Sequence, residues 1–261
     1  MTGRSVHDLL LRILSDGALR ARLFDGRSCP DGMPVQEWTV LARLSSERLR
    51  RMSQFLARHY YRERIVKLFR HVQTLAPHTG RDPLTILQTP EAQAVMETAC
   101  LGSSVSAERL LTLIEEFLLT HDEPILMHIP YWRDLVRYHA AMFRCDAGGS
   151  TQNSRHPRRA DGARIVDLTW DLPAVFVQLR NGPTVPPHAD PQPTRLLIAR
   201  SARGQVTAVR SRNDIERLLH FADGTRDTQQ LSNLVGLSIQ HTERVLQQLM
   251  ELGAIGWNRD R

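Results

Sequence analysis

Lysine is almost absent from this sequence. Lys67 is the single lysine, so nearly all of the 34 basic residues are arginine. Against 28 acidic residues they give a formal net charge of +6. A bias this strong toward arginine is typical of GC-rich coding more than of selection for a nucleic-acid surface. The positive charge favours an acidic partner, either a peptide or a nucleic acid, without distinguishing between the two.

Cysteine is also scarce, and the spacing of the cysteines suggests no pairs. Cys29, Cys100 and Cys145 are widely spaced, and no C-x-x-C motif occurs. This argues against a disulfide framework and against a structural zinc site. The sequence has no run of eighteen apolar residues and no signal-peptide pattern at its start. We therefore expect a cytoplasmic protein without a membrane span.

The motifs of common catalytic sites are missing as well. No G-x-S-x-G, P-loop, G-x-G-x-x-G or H-E-x-x-H occurs. Only His121, Asp122, Glu123 and His128 cluster in a pattern that could bind iron or zinc. Their spacing matches no ligand motif, and Pro124 interrupts any single helical face. We therefore predict no catalytic residue, no metal ligand and no cofactor in this chain.

The first 145 residues show helical periodicity almost throughout. The longest stretch, 46–75, has apolar residues on one side, including Met52 and Phe55, and many arginines on the other. The arginine side is interpreted as a solvated face, with docking to an acidic protein as the alternative. Residues 146–162, DAGGSTQNSRHPRRADG, contain almost no apolar residue and predict a flexible linker.

Beyond the linker the pattern becomes mixed. We predict a strand at 164–169, a helix at 171–180, a proline-rich loop and a hairpin of strands 195–201 and 205–210. Three short helices follow, with Asp227 and Ser238 as N-caps of the second and third. The fold class is therefore mainly α with a small α+β part: a helical domain at 1–145 and a winged-helix domain at 163–261.

Two parts of the chain resemble known families. LLHFADGTRDTQQL and VLQQLMELGAIGW resemble the PqqD-type domains that recognise leader peptides of ribosomally made, modified natural products, also called RiPP recognition elements. LLLRILSDGALRARLF, RERIVKLFRHVQTLAPHTG and YWRDLVRYHAAMF are similar to a helical domain found beside multinuclear iron enzymes. VDLTWDLPAVFVQLR and RLLIARSARGQV match the join between the two. Together they resemble the TglI-like partner subunits of 3-thiaglutamate and methanobactin biosynthesis.

That resemblance implies a non-catalytic subunit. In the family, such a subunit forms a heterodimer with a multinuclear, TglH-like iron enzyme, which holds the iron and performs the chemistry. The resemblance further implies that this chain binds a precursor or carrier peptide. It would present the peptide's C-terminal cysteine to that iron-dependent oxygenase, which excises the β-carbon. Domain 1–145 would then dock the partner enzyme.

In the PqqD-type family the peptide pairs with the last strand of the sheet, and the third helix walls the groove. On this sequence that implies a peptide-binding set of nine residues: Val206, Thr207, Ala208, Val209, Arg210, Arg244, Val245, Gln248 and Leu249. For Val245 and Leu249 a core position of the three-helix module is the alternative. The alternative function is a winged-helix transcriptional regulator whose recognition helix is 239–252. Arg244 is the only basic residue of that helix apart from a histidine, so we expect nucleic acid not to be the partner.

Overall fold

The computed structural model describes residues 3–25, 28–148, 154–180 and 185–257, and the side chains from residue 6 onward. The described chain is mainly helical with a small antiparallel sheet, as predicted. Its helices are α1 Gly3–Ser15, α2 Gly17–Phe24, α3 Val35–Ala42, α4 Ser46–Leu68, α5 Arg70–Thr79, α6 Pro90–Thr98, α7 Ser104–Leu119, α8 Glu123–Leu126, α9 Trp132–Ala147, α10 Leu172–Leu179, α11 Asn213–Phe221, α12 Thr228–Val235 and α13 Ile239–Leu252, with a 3-10 helix at Pro83–Gln88. Its strands are β1 Arg158–Arg159, β2 Arg164–Trp170, β3 Pro191–Arg200, β4 Val206–Arg210 and β5 Ile255–Gly256. No described helix combines the length and apolarity needed to cross a membrane.

The chain forms two compact units that differ from the predicted domains. One consists of Met1–Lys67 and Asp82–Phe117, and the other of Leu68–Arg81 and Leu118–Arg261. Helix α9, predicted to be part of the N-terminal domain, belongs to the second unit because it packs on β2 and β3.

The first unit is helical throughout its described part. The apolar faces of α1 and α3 share a core that includes Ile13, Trp38 and Leu49. The buried Arg20 guanidinium donates hydrogen bonds to the Ser53 hydroxyl and to the carbonyls of Ile13 and Glu97. Buried charge is costly unless it is paired or hydrogen-bonded, so these bonds tie α2 to the helices around it.

One expectation about α4 is wrong. Helical periodicity put Met52 and Phe55 on the apolar face, but their side chains are 50% and 71% exposed. Leu49, Ala57, Tyr61, Ile65 and Leu68 are the apolar residues of α4 that the core buries. Phe55 lies on the outside, stacked with His59 at a ring-centroid distance of 6.5 Å.

The second unit contains an antiparallel sheet in the order β2, β3, β4. Leu197 pairs with Ile165 on one side and with Val209 on the other. Strand β3 is longer than predicted, because it begins at Pro191 inside the segment that we expected to be a proline-rich loop. The part of that segment at 181–184 lies outside the described residues.

The two prolines of β3 are tolerated for a positional reason. Strand β4 pairs only with residues 196–200 of β3. Pro191 and Pro193 therefore lie beyond its end, where β2 is the only described strand that pairs with β3. Proline is tolerated where a strand lacks a neighbour on one side.

A three-residue loop joins β3 to β4. Gly204 N donates to Ser201 O at 2.8 Å, and Ser201 N donates to Gln205 O at 2.9 Å. Gly204 has a φ of +75°, the left-handed geometry that closes a three-residue hairpin with a bulge. The hairpin predicted around this glycine is confirmed.

Helices α11, α12 and α13 cover one face of the sheet. Leu197, Ala199 and Ile215 share a core with Leu218, Leu231, Val245, Leu246 and Leu249. Asp227 and Gln230 form the predicted capping box, and the Ser238 side chain caps α13. Gly253 ends α13, and a Cβ at this position would lie 2.0 Å from the Arg200 carbonyl oxygen, so the close contact between helix and sheet requires glycine.

The predicted linker is partly structured. Helix α9 continues to Ala147, and β1 pairs with β5 through Arg159 and Ile255. Gly224 N donates to Pro157 O at 3.0 Å, and Ala160 N donates to Ala254 O at 2.9 Å. Because these bonds join backbone groups, the polar side-chain composition of the segment did not predict them. Residues 149–153 of the segment lie outside the described residues.

Candidate functional site

The pairing of β4 determines which of its backbone groups point outward. The bond from Ser201 N to Gln205 O and the 2.8 Å bond from Ser211 N to Arg195 O show that odd-numbered residues exchange hydrogen bonds across this ladder. Neighbouring residues of a strand direct their N–H and C=O groups to opposite sides. Val206, Ala208 and Arg210 therefore point these groups away from β3, and no described residue forms a strand there.

At the opposite edge of the sheet, side chains of α9 bond to backbone groups near the end of β2. The carboxylate of Asp134, which is buried, accepts hydrogen bonds from the backbone amides of Thr169 and Trp170. Arg137, one turn later, donates to the Asp167 carbonyl at 3.4 Å and pairs with Asp134 at 3.2 Å. These side chains occupy backbone groups that an added strand would need. No described side chain bonds to the outward groups of β4 in this way, so β4 is the edge better suited to accept another strand.

A cavity of about 400 Å³ lies beside β4 on the face of the sheet opposite α11–α13. Leu196 and Ile198 point to this face and are buried, and α9 packs against it. The cavity is lined by residues of α5, α9, α10 and the sheet: Arg70, Tyr138, Met142, Pro173, Phe176, Arg180, Leu196, Val206, Thr207, Ala208 and Arg210. Ala208, with its single methyl group, leaves the space beside the strand open.

Three arginines line the cavity, and their partners differ. Arg210 forms a 2.6 Å ion pair with Asp171. Arg70 and Arg180 are exposed and have no ion-pair partner among the residues that the structure describes. The cavity therefore has two guanidinium groups whose charge no carboxylate within the described ranges compensates.

The wall behind these arginines is aromatic. His71 stacks on Phe176 with ring centroids 4.2 Å apart, and Tyr138 lies 4.8 Å from the same ring. His139 lies 5.3 Å from His71 and donates from Nδ1 to the Leu68 carbonyl. The cluster joins α5, α9 and α10 behind the open edge of β4.

Both histidines of this cluster are held neutral. Burial, followed by the positive charges of Arg70 and Arg180, lowers the pKa of His71 to about 4. Burial, followed by the neighbouring His71, lowers the pKa of His139 to about 3. His71 Nδ1 and His139 Nε2 have no hydrogen-bond partner among the described residues. Burial without a hydrogen-bond partner costs less free energy for a neutral imidazole than for an imidazolium cation.

The nine residues implied by the family resemblance lie in different surroundings. Val206, Thr207, Ala208 and Arg210 line the cavity, whereas Val209 packs against the core that the sheet shares with α11–α13. Val245 and Leu249 are 2% and 1% exposed. They therefore occupy core positions of the three-helix module, which was the alternative interpretation for these two residues. Arg244 and Gln248 are exposed on α13.

Sequence reasoning missed the residues of the cavity outside β4. Arg70, Tyr138, Phe176 and Arg180 lie on or beside three helices and are far apart in sequence. Nothing in their local patterns distinguishes them from other residues of amphipathic helices. Only the packing of α5, α9 and α10 beside the sheet brings them together.

The clustered polar residues at 121–128 do not converge on a site. Asp122 is 1% exposed and accepts two hydrogen bonds from Arg133, at 2.7 and 2.8 Å. These bonds hold the pKa of its carboxyl below the usual range. Within the described ranges, no group of three or more histidine, cysteine or acidic side chains could hold a metal ion.

Comparison with models of known protein families gave no match, and comparison with curated proteins gave no significant match. A function for this chain therefore depends on sequence resemblance and on the geometry of β4.

Proposed function

We propose that this chain is a peptide-binding subunit that receives an extended peptide as a new strand beside β4. The observation that carries the proposal is the contrast between the two sheet edges. Val206, Ala208 and Arg210 direct unpaired backbone groups toward an open cavity. At β2, by contrast, side chains of α9 bond to the Asp167 carbonyl and to the Thr169 amide. Strand addition gains affinity from main-chain hydrogen bonds and specificity from pockets beside alternate side chains.

The family resemblance extends the proposal to a biological role. The peptide is a ribosomal precursor or carrier peptide, and the chain works in the cytoplasm as a heterodimer with a multinuclear iron enzyme. It presents the C-terminal cysteine of the peptide to that iron-dependent oxygenase for β-carbon excision. The hairpin β3–β4 and helices α11–α13 then constitute a winged-helix domain of the RiPP recognition type. The iron and the oxidative chemistry belong to the partner.

The partner enzyme requires a docking surface of its own. Helix α4 offers the exposed apolar side chains of Met52 and Phe55 among arginines. Apolar residues surrounded by polar ones are typical of transient interfaces between proteins. We propose that this surface of α4 docks the iron enzyme.

Peptides encoded by the short open reading frames that adjoin the gene of this chain are suitable probes. Each is synthesised and titrated into the full chain by calorimetry, with a random-sequence DNA duplex titrated in parallel. The proposal expects saturable binding of one peptide and weaker binding by Ala208→Pro. Binding of duplex DNA with sequence preference, and of no peptide, would favour the transcriptional regulator instead.

A second experiment tests the docking partner. The neighbouring iron enzyme is co-expressed with the parent chain and with a Met52→Ser/Phe55→Ser variant. We expect co-purification with the parent at a fixed ratio and loss of the complex in the variant, while peptide binding remains. Equal co-purification with both chains would place the docking surface elsewhere.

A further inference from the structure

A peptide strand added to β4 would present its side chains alternately to two different surroundings. Residues opposite one another on paired strands share the same face of the sheet. Side chains opposite Val206, Ala208 and Arg210 would therefore face the cavity, and those opposite Thr207 and Val209 would face the side of α13. The cavity can select only one set of alternate positions in the peptide.

Charge distinguishes the cavity face from the rest of the edge. Arg210 already has Asp171 as its partner at 2.6 Å. Arg70 begins α5 and Arg180 follows α10, and both line the cavity without an ion-pair partner among the described residues. Both also depress the pKa of the same buried ring, His71, so their positive charges act on a common point.

The apolar side chains around these two arginines increase the preference of the cavity for an acidic group. Tyr138, Phe176 and Met142 provide an apolar surface beside the guanidinium groups. A carboxylate bound there would lose part of its water, and hydrogen bonds between charged partners are stronger than neutral ones. A lysine or arginine of the peptide would instead meet two like charges.

We infer that Arg70 and Arg180 form a carboxylate subsite that selects peptides with aspartate or glutamate at a cavity-facing position of the added strand. This inference rests on the proposed function. It goes beyond it by assigning the chemical class of one peptide residue and by fixing the register of the peptide along β4. It also assigns the selecting charge to two residues that lie outside the β3–β4 hairpin and helices α11–α13.

A displayed library of random octapeptides tests the subsite independently of the natural peptide. The library is selected on the parent chain, on an Arg70→Gln/Arg180→Gln variant and on an Arg109→Gln control. Arg109 is exposed on α7 and is not part of the cavity lining. From the parent and from the control we expect octapeptides whose sequences favour a β-strand (strand-like octapeptides). These should carry an acidic residue at one fixed position among those that face the cavity. The double variant should enrich strand-like octapeptides without the acidic residue.

Synthetic peptides then measure the preference. For a selected octapeptide, changing glutamate to glutamine should weaken binding to the parent about five- to tenfold, and less than about twofold for the double variant. Added salt should reduce the difference, because it screens exposed charges. The exposed positions of both arginines make their glutamine variants compatible with the fold.

The outcomes separate this inference from the function beneath it. Selection of strand-like peptides with no acidic preference would overturn the subsite and leave strand addition standing. An acidic preference that survives in the double variant, or is lost to the same extent in Arg109→Gln, would place the selecting charge elsewhere. A carboxylate requirement met only by a free peptide C-terminus would also contradict the side-chain subsite. Failure of every octapeptide to bind would overturn both proposals.

Discussion

The carboxylate of Asp134 on α9 accepts a hydrogen bond from the backbone amide of Trp170 on β2 at 3.1 Å. The same oxygen also accepts a bond from the amide of Thr169. An acidic side chain thus occupies the outward amide of Thr169 at the end of β2. Because the two bonds join α9 to β2, they anchor the helix on the sheet and make this end of β2 less able to pair with another strand.

Asp134→Ala should destabilise the second unit by about 1–3 kcal/mol, because two amides and Arg137 lose their acceptor in a buried setting. Urea unfolding monitored by tryptophan fluorescence measures the change. The control is Asp167→Ala, since the side chain of Asp167 is 74% exposed in its ion pair with Arg195. If both variants unfold at the same urea concentration, the carboxylate of Asp134 contributes no more than an exposed ion pair.

Proline substitutions at adjacent positions of β4 should change different properties: the stability of the fold at Thr207 and peptide binding at Ala208. Thr207→Pro removes an amide that bonds to β3, so it should lower the free energy of unfolding by about 1–3 kcal/mol. Ala208→Pro removes an amide that points outward, so it should leave the ladder intact and weaken peptide binding about fivefold or more. Thermal melts and calorimetry together measure the pair. Greater loss of stability in Ala208→Pro would show that the pairing parity is wrong.

The buried histidine pair predicts acid sensitivity. The folded pKa values of His71 and His139, about 4 and about 3, lie below the value of about 6.5 for an unfolded chain. Between these values the unfolded state binds more protons, so stability is complete above about pH 6.5 and falls as the pH is lowered. The slope should approach about 1.4 kcal/mol per pH unit for each histidine.

Variants that cannot titrate should reduce this slope. His71→Phe keeps a ring against Phe176, and His139→Asn keeps a donor for the Leu68 carbonyl. Urea midpoints of the parent and the double variant are compared between about pH 5 and pH 7.5. An unchanged slope in the double variant would assign the acid sensitivity to other groups.

The polar cluster at 121–128 should not bind a metal ion with a stoichiometric ratio. Asp122 is occupied by Arg133, and within the described residues no third ligand lies close enough. Elemental analysis of the purified chain and of a His121→Ala/His128→Ala variant should give the same low metal content. About one iron or zinc per parent chain, lost in the variant, would refute this prediction.

Much of the sheet and of the three-helix module could be predicted from local patterns. Alternation predicted β2 and β4, and Gly204 marked the hairpin. The capping box of Asp227 and Gln230 marked the start of α12. These signals are local because each depends on hydrogen bonds between residues close in sequence.

The compact units and the cavity could not be predicted in this way. The prolines at 191 and 193 predicted a loop where β3 begins. A strand without a partner on one side can contain proline, so this prediction was wrong. Periodicity put Phe55 in the core, since it reports amphipathicity and not the partner of each face. Arg70 and Arg180 acquire significance only when α5 and α10 meet beside β4, a relationship that no local pattern records.

Amide hydrogen exchange along β4, resolved by residue with NMR, tests strand addition most directly. The full chain is measured alone and with a saturating octapeptide from the selection. We expect the amides of Val206, Ala208 and Arg210 to exchange rapidly alone and to become protected with the peptide, while Thr207 and Val209 are protected in both states. Unchanged exchange at the three outward amides, with protection appearing instead at Arg244 and Gln248, would contradict strand addition at β4.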